Sequence, residues 1–209
     1  MLLDYHAAEP RSDSGWRIVN KGRLEAFSDG VVAIAITIMV LTLKVPRGTG
    51  WGEIWAIAPL LFSYLLSFIY VGIYWVNHHH LMQPVKSVNG VILWANLHLL
   101  FWLSLIPFVT AWVGVDPSAS PPVAIYGIVL LMSSVAFLLL GKALLAKEGE
   151  NSRLALAIGK GRKNQISIFL YALAILLSLW SGVAGLLVYV VVAILWFVPD
   201  PDIENLHWN

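Results

Sequence analysis

The sequence predicts an all-α integral membrane protein with six transmembrane helices per subunit. Of its 209 residues, 59% are hydrophobic and only 12% are charged. The charged residues are also clustered, because they fall between long apolar blocks. A soluble domain of this length could not bury so much apolar surface. Blocks of about 20 apolar residues are long enough to cross the hydrocarbon core of a bilayer as helices.

Six apolar segments follow one another along the chain. They predict helices at about residues 24–43, 54–76, 91–113, 123–145, 166–180 and 183–198. The first four approach or exceed the ~20 residues that one crossing needs. Only Ser181 and Gly182 separate the last two, and one continuous helix there would be too long for a single crossing. We therefore expect a tight hairpin of two short helices. Pro59 and Pro107 should kink the second and third helices.

Basic residues predict the orientation of these helices. Eleven of the thirteen lysines and arginines precede the first helix or lie in the second–third and fourth–fifth connections, whereas Lys44 and Arg47 lie on the other side. The positive-inside rule then places both termini in the cytoplasm. We expect the transmembrane domain to comprise residues 23–198. Residues 1–22 lack the apolar core of a signal peptide and are expected to form a cytoplasmic N-terminal segment. Residues 199–209 are expected to form a cytoplasmic C-terminal tail. Residues 148–164 are interpreted as a flexible connector.

Several function classes have no support in the sequence. Cysteine is absent, which excludes disulfides and catalytic thiols, and a net charge of +1 suggests no nucleic-acid partner. No G-x-S-x-G, H-E-x-x-H or glycine-rich phosphate loop is present. Three consecutive histidines, His78, His79 and His80, suggest a metal site, but helical neighbours point 100° apart and metal pairs prefer i, i+3 or i, i+4 spacing. We expect neither an enzyme, nor a cofactor, nor a bound metal.

The first helix carries a stripe of apolar side chains along one side. At 100° per residue, the stripe comprises Phe27, Val31, Ile34, Ile38 and Leu41, and we call it the aliphatic stripe. Thr37 lies about 60° from Ile34 on its shoulder. Such a stripe suits a pore lining, a lipid-facing surface or a core contact.

Asp29 lies about 140° from the aliphatic stripe. We expect it to point into the subunit, because a carboxylate in an apolar span costs about 2.5–3.5 kcal/mol on insertion scales. The candidate partners are Arg23 on the same helix, the histidines that follow the second helix, and Asn96 and His98 at the start of the third.

The run R-x-x-x-F-S-D, formed by Arg23, Phe27, Ser28 and Asp29, opens the first of the six helices. It resembles the motif of the bacterial relatives of the endolysosomal potassium channel called transmembrane protein 175. The likeness extends to YWVNHHHL at the end of the second helix and to NLHLLFWLSLIPFVTAWVG in the third. It covers residues 23 to about 114 with specific motifs. His80 departs from it, since an arginine is expected after the paired histidines.

This resemblance implies a homotetramer in which four first helices line one central pore. Ile34, Ile38 and Leu41 would form the narrowest rings, and Thr37 beside them would affect selectivity. Arg23 and Asp29 would sit in a polar network behind the pore with a histidine of the second helix, His78 or His79. Phe27 and Ser28 would complete this structural motif network. The resemblance also implies the lipid bilayer and permeating potassium ions as partners, and the bacterial inner membrane as the location.

The sequence and the resemblance together predict a potassium-permeable, potassium-selective cation channel with a hydrophobic constriction. The alternative is a proton-coupled secondary transporter that uses Asp29 and the membrane histidines as a relay. The position of Asp29 off the aliphatic stripe favours the channel.

Overall fold

A computed structural model describes residues 20–149 and 162–197. The described chain is helical, with α1 at Lys21–Leu41, α2 at Gly52–Met82, α3 at Gly90–Ser104, α4 at Ile106–Val113, α5 at Ser120–Glu148, α6 at Arg162–Ser178 and α7 at Gly182–Phe197. Four spans are long and apolar enough to cross a membrane: α1, α2, α3 together with α4, and α5. α6 and α7 are shorter apolar helices. The predicted terminal segments, apart from residues 20–22, lie outside the described residues.

Local sequence signals set several helix boundaries. The Asn20 side chain caps α1 by accepting a hydrogen bond from the Gly22 N–H. Asn89 caps α3 in the same way by accepting from the Ile92 N–H. Two prolines stand in the first turn of α5, where their missing N–H groups cost no helical hydrogen bond.

α2 continues six residues beyond the predicted end at residue 76, through the three histidines to Met82. It is therefore about 46 Å long at 1.5 Å per residue. The predicted end lies where hydropathy falls, at the first polar residues. Polar residues can continue a helix beyond its apolar block, as they do here. Pro59 lies inside α2 near its beginning.

The third predicted helix is divided at Leu105 into α3 and α4. Pro107 follows the break and has no N–H to donate to the preceding turn. The Leu105 N–H instead bonds the Trp102 carbonyl oxygen at 3.2 Å, which tightens the end of α3. The kink that we expect at Pro107 is thus a full break between two helices in the structure.

The expectation of a flexible connector over residues 148–164 is wrong at both of its ends. Glu148 closes α5, and α6 begins at Arg162. Asn164, two residues into α6, is buried. Charge density suggested a loop, but these residues continue helices that pack on the bundle. Residues 150–161 of the expected connector lie outside the described part of the chain.

α5 is the central helix of the bundle and packs against α3, α4, α6 and α7. α1 lies at one edge against α2, α3 and α4, whereas the α6–α7 hairpin lies against α5, with α7 also touching α2. Gly127 of α5 permits this packing, because a Cβ there would lie 1.8 Å from the Tyr189 hydroxyl oxygen. The edge position of α1 leaves one of its sides uncovered by the rest of the subunit.

Candidate functional site

α1 turns a narrow face toward α2, α3 and α4. The buried side chains on this face are Leu24, Ser28, Val32, Ala35 and Met39. Their spacing of three or four residues places them on one side of a helix. Near the far end of this face, the Thr110 hydroxyl oxygen of α4 lies 3.8 Å from the Met39 sulfur and 2.6 Å from the Ser67 hydroxyl oxygen.

The aliphatic stripe lies on the flank of α1 that the subunit leaves uncovered. Phe27 is 56% exposed, Ile34 60%, Ile38 48% and Leu41 77%, while Val31 is partly buried. The side chains therefore share one surface, as the helical spacing predicts. Within a single subunit this surface must meet either lipid or another molecule.

Thr37 is an exposed residue at the border of the aliphatic stripe. Its hydroxyl donates to the Ala33 carbonyl oxygen, one turn earlier, at 2.8 Å. That bond satisfies the hydroxyl hydrogen within the helix, so the oxygen lone pairs are the groups that Thr37 presents outward.

A chain of buried hydrogen bonds ties α1 to α3 and α2. Asn96 Nδ2 donates to Ser28 Oγ at 2.9 Å, and Ser28 Oγ donates to the Leu24 carbonyl oxygen at 2.8 Å. Asn96 Oδ1 lies 2.9 Å from His78 Nε2. Because an amide oxygen can only accept, His78 Nε2 is the donor in this bond. Ser28, His78 and Asn96 are all buried, and we call them the Ser28–Asn96–His78 chain.

The expectation that Asp29 points into the subunit is wrong. The side chain is exposed at the edge of α1, and its Oδ1 accepts a hydrogen bond from the Trp75 indole N–H at 2.9 Å. Ser28 occupies the centre of the buried face instead, since consecutive helical residues differ by 100° in direction. Asp29 and His78 do line the same small cavity between α1, α2 and α3.

Arg23 and His79 do not join the Ser28–Asn96–His78 chain. Arg23 is exposed, and the ion pair at this end of α1 joins Lys21 and Glu25 at 3.5 Å. His79 is exposed, and its ring stacks on Trp75 with centroids 6.4 Å apart. His98, another candidate partner, accepts from the Trp102 indole N–H at 3.0 Å within α3. Of the two motif histidines, the hydrogen-bonding role falls to His78.

The described residues contain no group of three histidine, aspartate or glutamate side chains placed to hold a metal ion. Consecutive histidines diverge on α2, so that only His78 of the three is buried. The geometry of the described site is that of helix contacts and an exposed apolar surface.

Comparison with known proteins places these residues in a family. A family model described as the endosomal/lysosomal potassium channel TMEM175 matches residues 23–107. A protein of Chryseobacterium that is named a potassium channel is 55% identical over 187 residues, which cover 90% of this chain and 97% of the relative. The chain belongs to the TMEM175 family. The resemblance read from the R-x-x-x-F-S-D motif is thereby confirmed.

Other TMEM175 relatives show how far the likeness extends. A protein of Streptomyces collinus, also named a potassium channel, is 38% identical over 124 residues, or 56% of this chain and 60% of the relative. The crystal structure of a lysosomal potassium-selective channel TMEM175 homolog from Chamaesiphon minutus matches with a TM-score of 0.74 at 29% identity. That match covers 85% of this chain and 96% of the homolog.

The family match contains every candidate site residue, from Arg23 to His79. Asn96 was predicted as one of several possible partners, and the structure selects it as the link between α1 and α2. The bond from the Trp75 indole N–H to Asp29 is not among the predicted contacts. A tryptophan near a helix end also fits the aromatic belt at a membrane interface, so no sequence pattern indicates this contact.

Proposed function

We infer that this membrane protein is a potassium-permeable cation channel. The observation that carries this inference is the 55% identity to a potassium channel over 97% of that relative's length. The fold agrees with it, since the TM-score of 0.74 joins the chain to a homolog described as potassium-selective. Ions would move down their gradient, at ~2.3 kcal/mol per charge for each 100 mV of membrane potential. We propose that this movement needs neither a cofactor nor a chemical step.

The pore itself is proposed to form between four subunits, with four copies of α1 around one axis. The cavities described within one subunit hold no more than a water-sized molecule, at about 10 Å³ each. α1 lies at the edge of the bundle, so it can approach copies of itself without disturbing α5. Closed cyclic symmetry would turn one stripe per subunit into stacked rings.

Ile34, Ile38 and Leu41 are proposed as the constriction residues. They are the exposed aliphatic side chains along this flank of α1, and Ile34 and Ile38 are one turn apart, or about 6 Å along the axis. A narrow ring of isoleucine side chains can close a pore by excluding water. Thr37 would offer hydroxyl oxygens beside these rings and is proposed to affect selectivity.

The motif residues are proposed to hold α1 at the rotation that this pore requires. The Ser28–Asn96–His78 chain fixes one side of α1 against α3 and α2, and the Asp29–Trp75 bond fixes an adjacent side. Two such contacts about 100° apart restrict rotation of the helix. We propose that Phe27 is the pore-facing member of the aliphatic stripe at the basic end of α1, where Arg23 is exposed.

The proposed location is the bacterial inner membrane with both termini in the cytoplasm. The distribution of basic residues between connections supports this orientation. The bacterial sources of two similar relatives support the proposed location.

The channel proposal is tested by purifying the protein, measuring its mass as an assembly, and reconstituting it in liposomes with opposed potassium and sodium gradients. We expect a tetramer and a flux of potassium that reverses with the membrane potential. The control is liposomes that receive the purification buffer alone. A flux that requires a pH gradient and saturates with potassium would instead favour the proton-coupled transporter. A monomer without flux would overturn the proposal.

A further inference from the structure

A second polar site lies away from α1, among α2, α5, α6 and α7. Its cavity has a volume of about 10 Å³. Its polar lining consists of Tyr70, Tyr74 and Asn77 from α2, Ser134 from α5, and Asn164 and Tyr171 from α6. We call it the amide cavity. It shares only Tyr74 with the cavity beside Asp29, and none of the motif or constriction residues lines it.

Asn164 has a buried amide group that its described neighbours only half satisfy. The side chain is 8% exposed, and its Oδ1 accepts from the Ser134 hydroxyl at 2.7 Å. Its Nδ2 has no hydrogen-bond partner among the described residues. Rotating the amide by 180° would exchange Oδ1 and Nδ2. The carbonyl oxygen would then be the atom without a partner. Buried amide groups in proteins are ordinarily satisfied, so one end of this amide calls for a ligand in the cavity.

The other polar groups of the cavity define what that ligand must be. Asn77 Nδ2 donates to the Ile73 carbonyl oxygen at 2.8 Å, which leaves Asn77 Oδ1 as an acceptor. The Tyr74 hydroxyl donates to the Leu130 carbonyl oxygen at 3.4 Å. A hydroxyl oxygen that donates can still accept a hydrogen bond. The ligand must therefore accept from one amide and donate to another. A metal cation cannot do this, because it would face the amide N–H of Asn164.

We propose that the amide cavity binds one internal water molecule. The water accepts from Asn164 Nδ2 and donates to Asn77 Oδ1 and to a tyrosine hydroxyl oxygen. A volume of about 10 Å³ with two or more polar partners is the size and chemistry that a single buried water needs. The water therefore links α6 to α2, two helices that are not consecutive in the chain. This proposal does not depend on the channel function.

The test is X-ray radiolytic footprinting of the intact protein in detergent micelles, with oxygen-18 water as the probe. Bound water generates hydroxyl radicals locally and labels the aromatic rings beside it. Tyr70 and Tyr171 line the amide cavity, whereas Tyr126 and Tyr189 do not, and all four are at most 2% exposed. We expect severalfold more labelling of Tyr171 and Tyr70 than of Tyr126 and Tyr189. Equal labelling of the two pairs would overturn the proposal.

Asn164→Leu provides the matching variant, because it fills the cavity and removes the amide. Labelling of Tyr171 should fall to the level of Tyr189. Asn77→Leu is a second variant on a different helix, should Asn164→Leu fail to fold, and the same decrease is expected. Unchanged labelling of Tyr171 in a folded variant would contradict a water held by these amides.

Discussion

At the scale of single residues, Ser28 and Asp29 differ in environment although they are adjacent in the chain. Ser28 is buried and bonded to Asn96, whereas Asp29 is exposed and accepts from Trp75. A rotation of 100° along α1 separates the two directions. The connection of α1 to α2 and α3 therefore rests on a hydroxyl and an amide, which are uncharged groups and less costly to bury than a carboxylate.

Asn96→Leu should destabilise the protein. His78 Nε2 would lose its acceptor and Ser28 Oγ would lose a donor, while both stay buried. Leaving one such group unpaired costs about 1–3 kcal/mol. A lower midpoint of thermal unfolding, followed by size-exclusion chromatography, is the measurement. His98→Leu is the control, since it removes one bond within α3 and should lower the midpoint less. Equal midpoints for the two variants would contradict the bridging role of Asn96.

At the scale of secondary structure, α1 has three kinds of surface. One face is buried, the Asp29 flank contacts Trp75, and the opposite flank carries the aliphatic stripe. α2 and α5 are longer than one crossing requires, and their polar ends extend the helices beyond their apolar blocks. α1 therefore differs from the central helix α5 in having an apolar side that no other helix of the subunit covers.

Ile38→Asn should increase ion flux through the reconstituted protein, because an amide in the proposed narrow ring would retain water. Val40→Asn is the matched control: Val40 is 44% exposed against 48% for Ile38, but lies 160° from it around α1. The measurement is potassium flux into liposomes at equal protein content. The same flux from Ile38→Asn as from Val40→Asn would show that the aliphatic stripe does not line the pore.

Gly127→Ala should disturb the contact between α5 and the α6–α7 hairpin. A Cβ at Gly127 would lie 1.8 Å from the Tyr189 hydroxyl oxygen and 2.7 Å from Ile175 Cγ1. Overpacking of this kind costs about 1–3 kcal/mol. Gly72→Ala on α2 is the control, since its Cβ would have no neighbour within 4 Å. Thermal unfolding should separate the two variants, and a Gly127→Ala midpoint at or above that of Gly72→Ala would refute the close contact.

At the scale of the whole molecule, the bundle is organised around α5, with α1 at one edge and the α6–α7 hairpin against α5. Polar groups occur in the interior of both regions: the Ser28–Asn96–His78 chain lies near α1, and the amide cavity lies near α6. The Ser28–Asn96–His78 chain joins α1, α2 and α3, and residues of α2, α5, α6 and α7 line the amide cavity. Hydrogen bonds across helices specify the packing of a membrane bundle, where apolar side chains meet lipid as readily as each other.

The orientation of the whole subunit can be tested because the chain contains no cysteine. Val115→Cys in the α4–α5 connection should react with a membrane-impermeant maleimide added to intact spheroplasts. Lys86→Cys in the α2–α3 connection should react only after permeabilisation, since basic connections stay in the cytoplasm. Both native side chains are exposed, so accessibility within the subunit does not distinguish them. The reverse pattern of labelling would invert the proposed topology.

The membrane class, the apolar segments and the family are predictable from the sequence alone, because these depend on hydropathy and on a contiguous motif. The sequence also determines which α1 side chains share the aliphatic stripe, since helical periodicity is local. Helix packing, by contrast, is needed to see that Ser28 rather than Asp29 is buried, that Asn96 pairs with His78, and that Asn164 lies inside the bundle. These choices depend on which face of each helix meets its neighbours, and contacts between residues distant in sequence set that rotation.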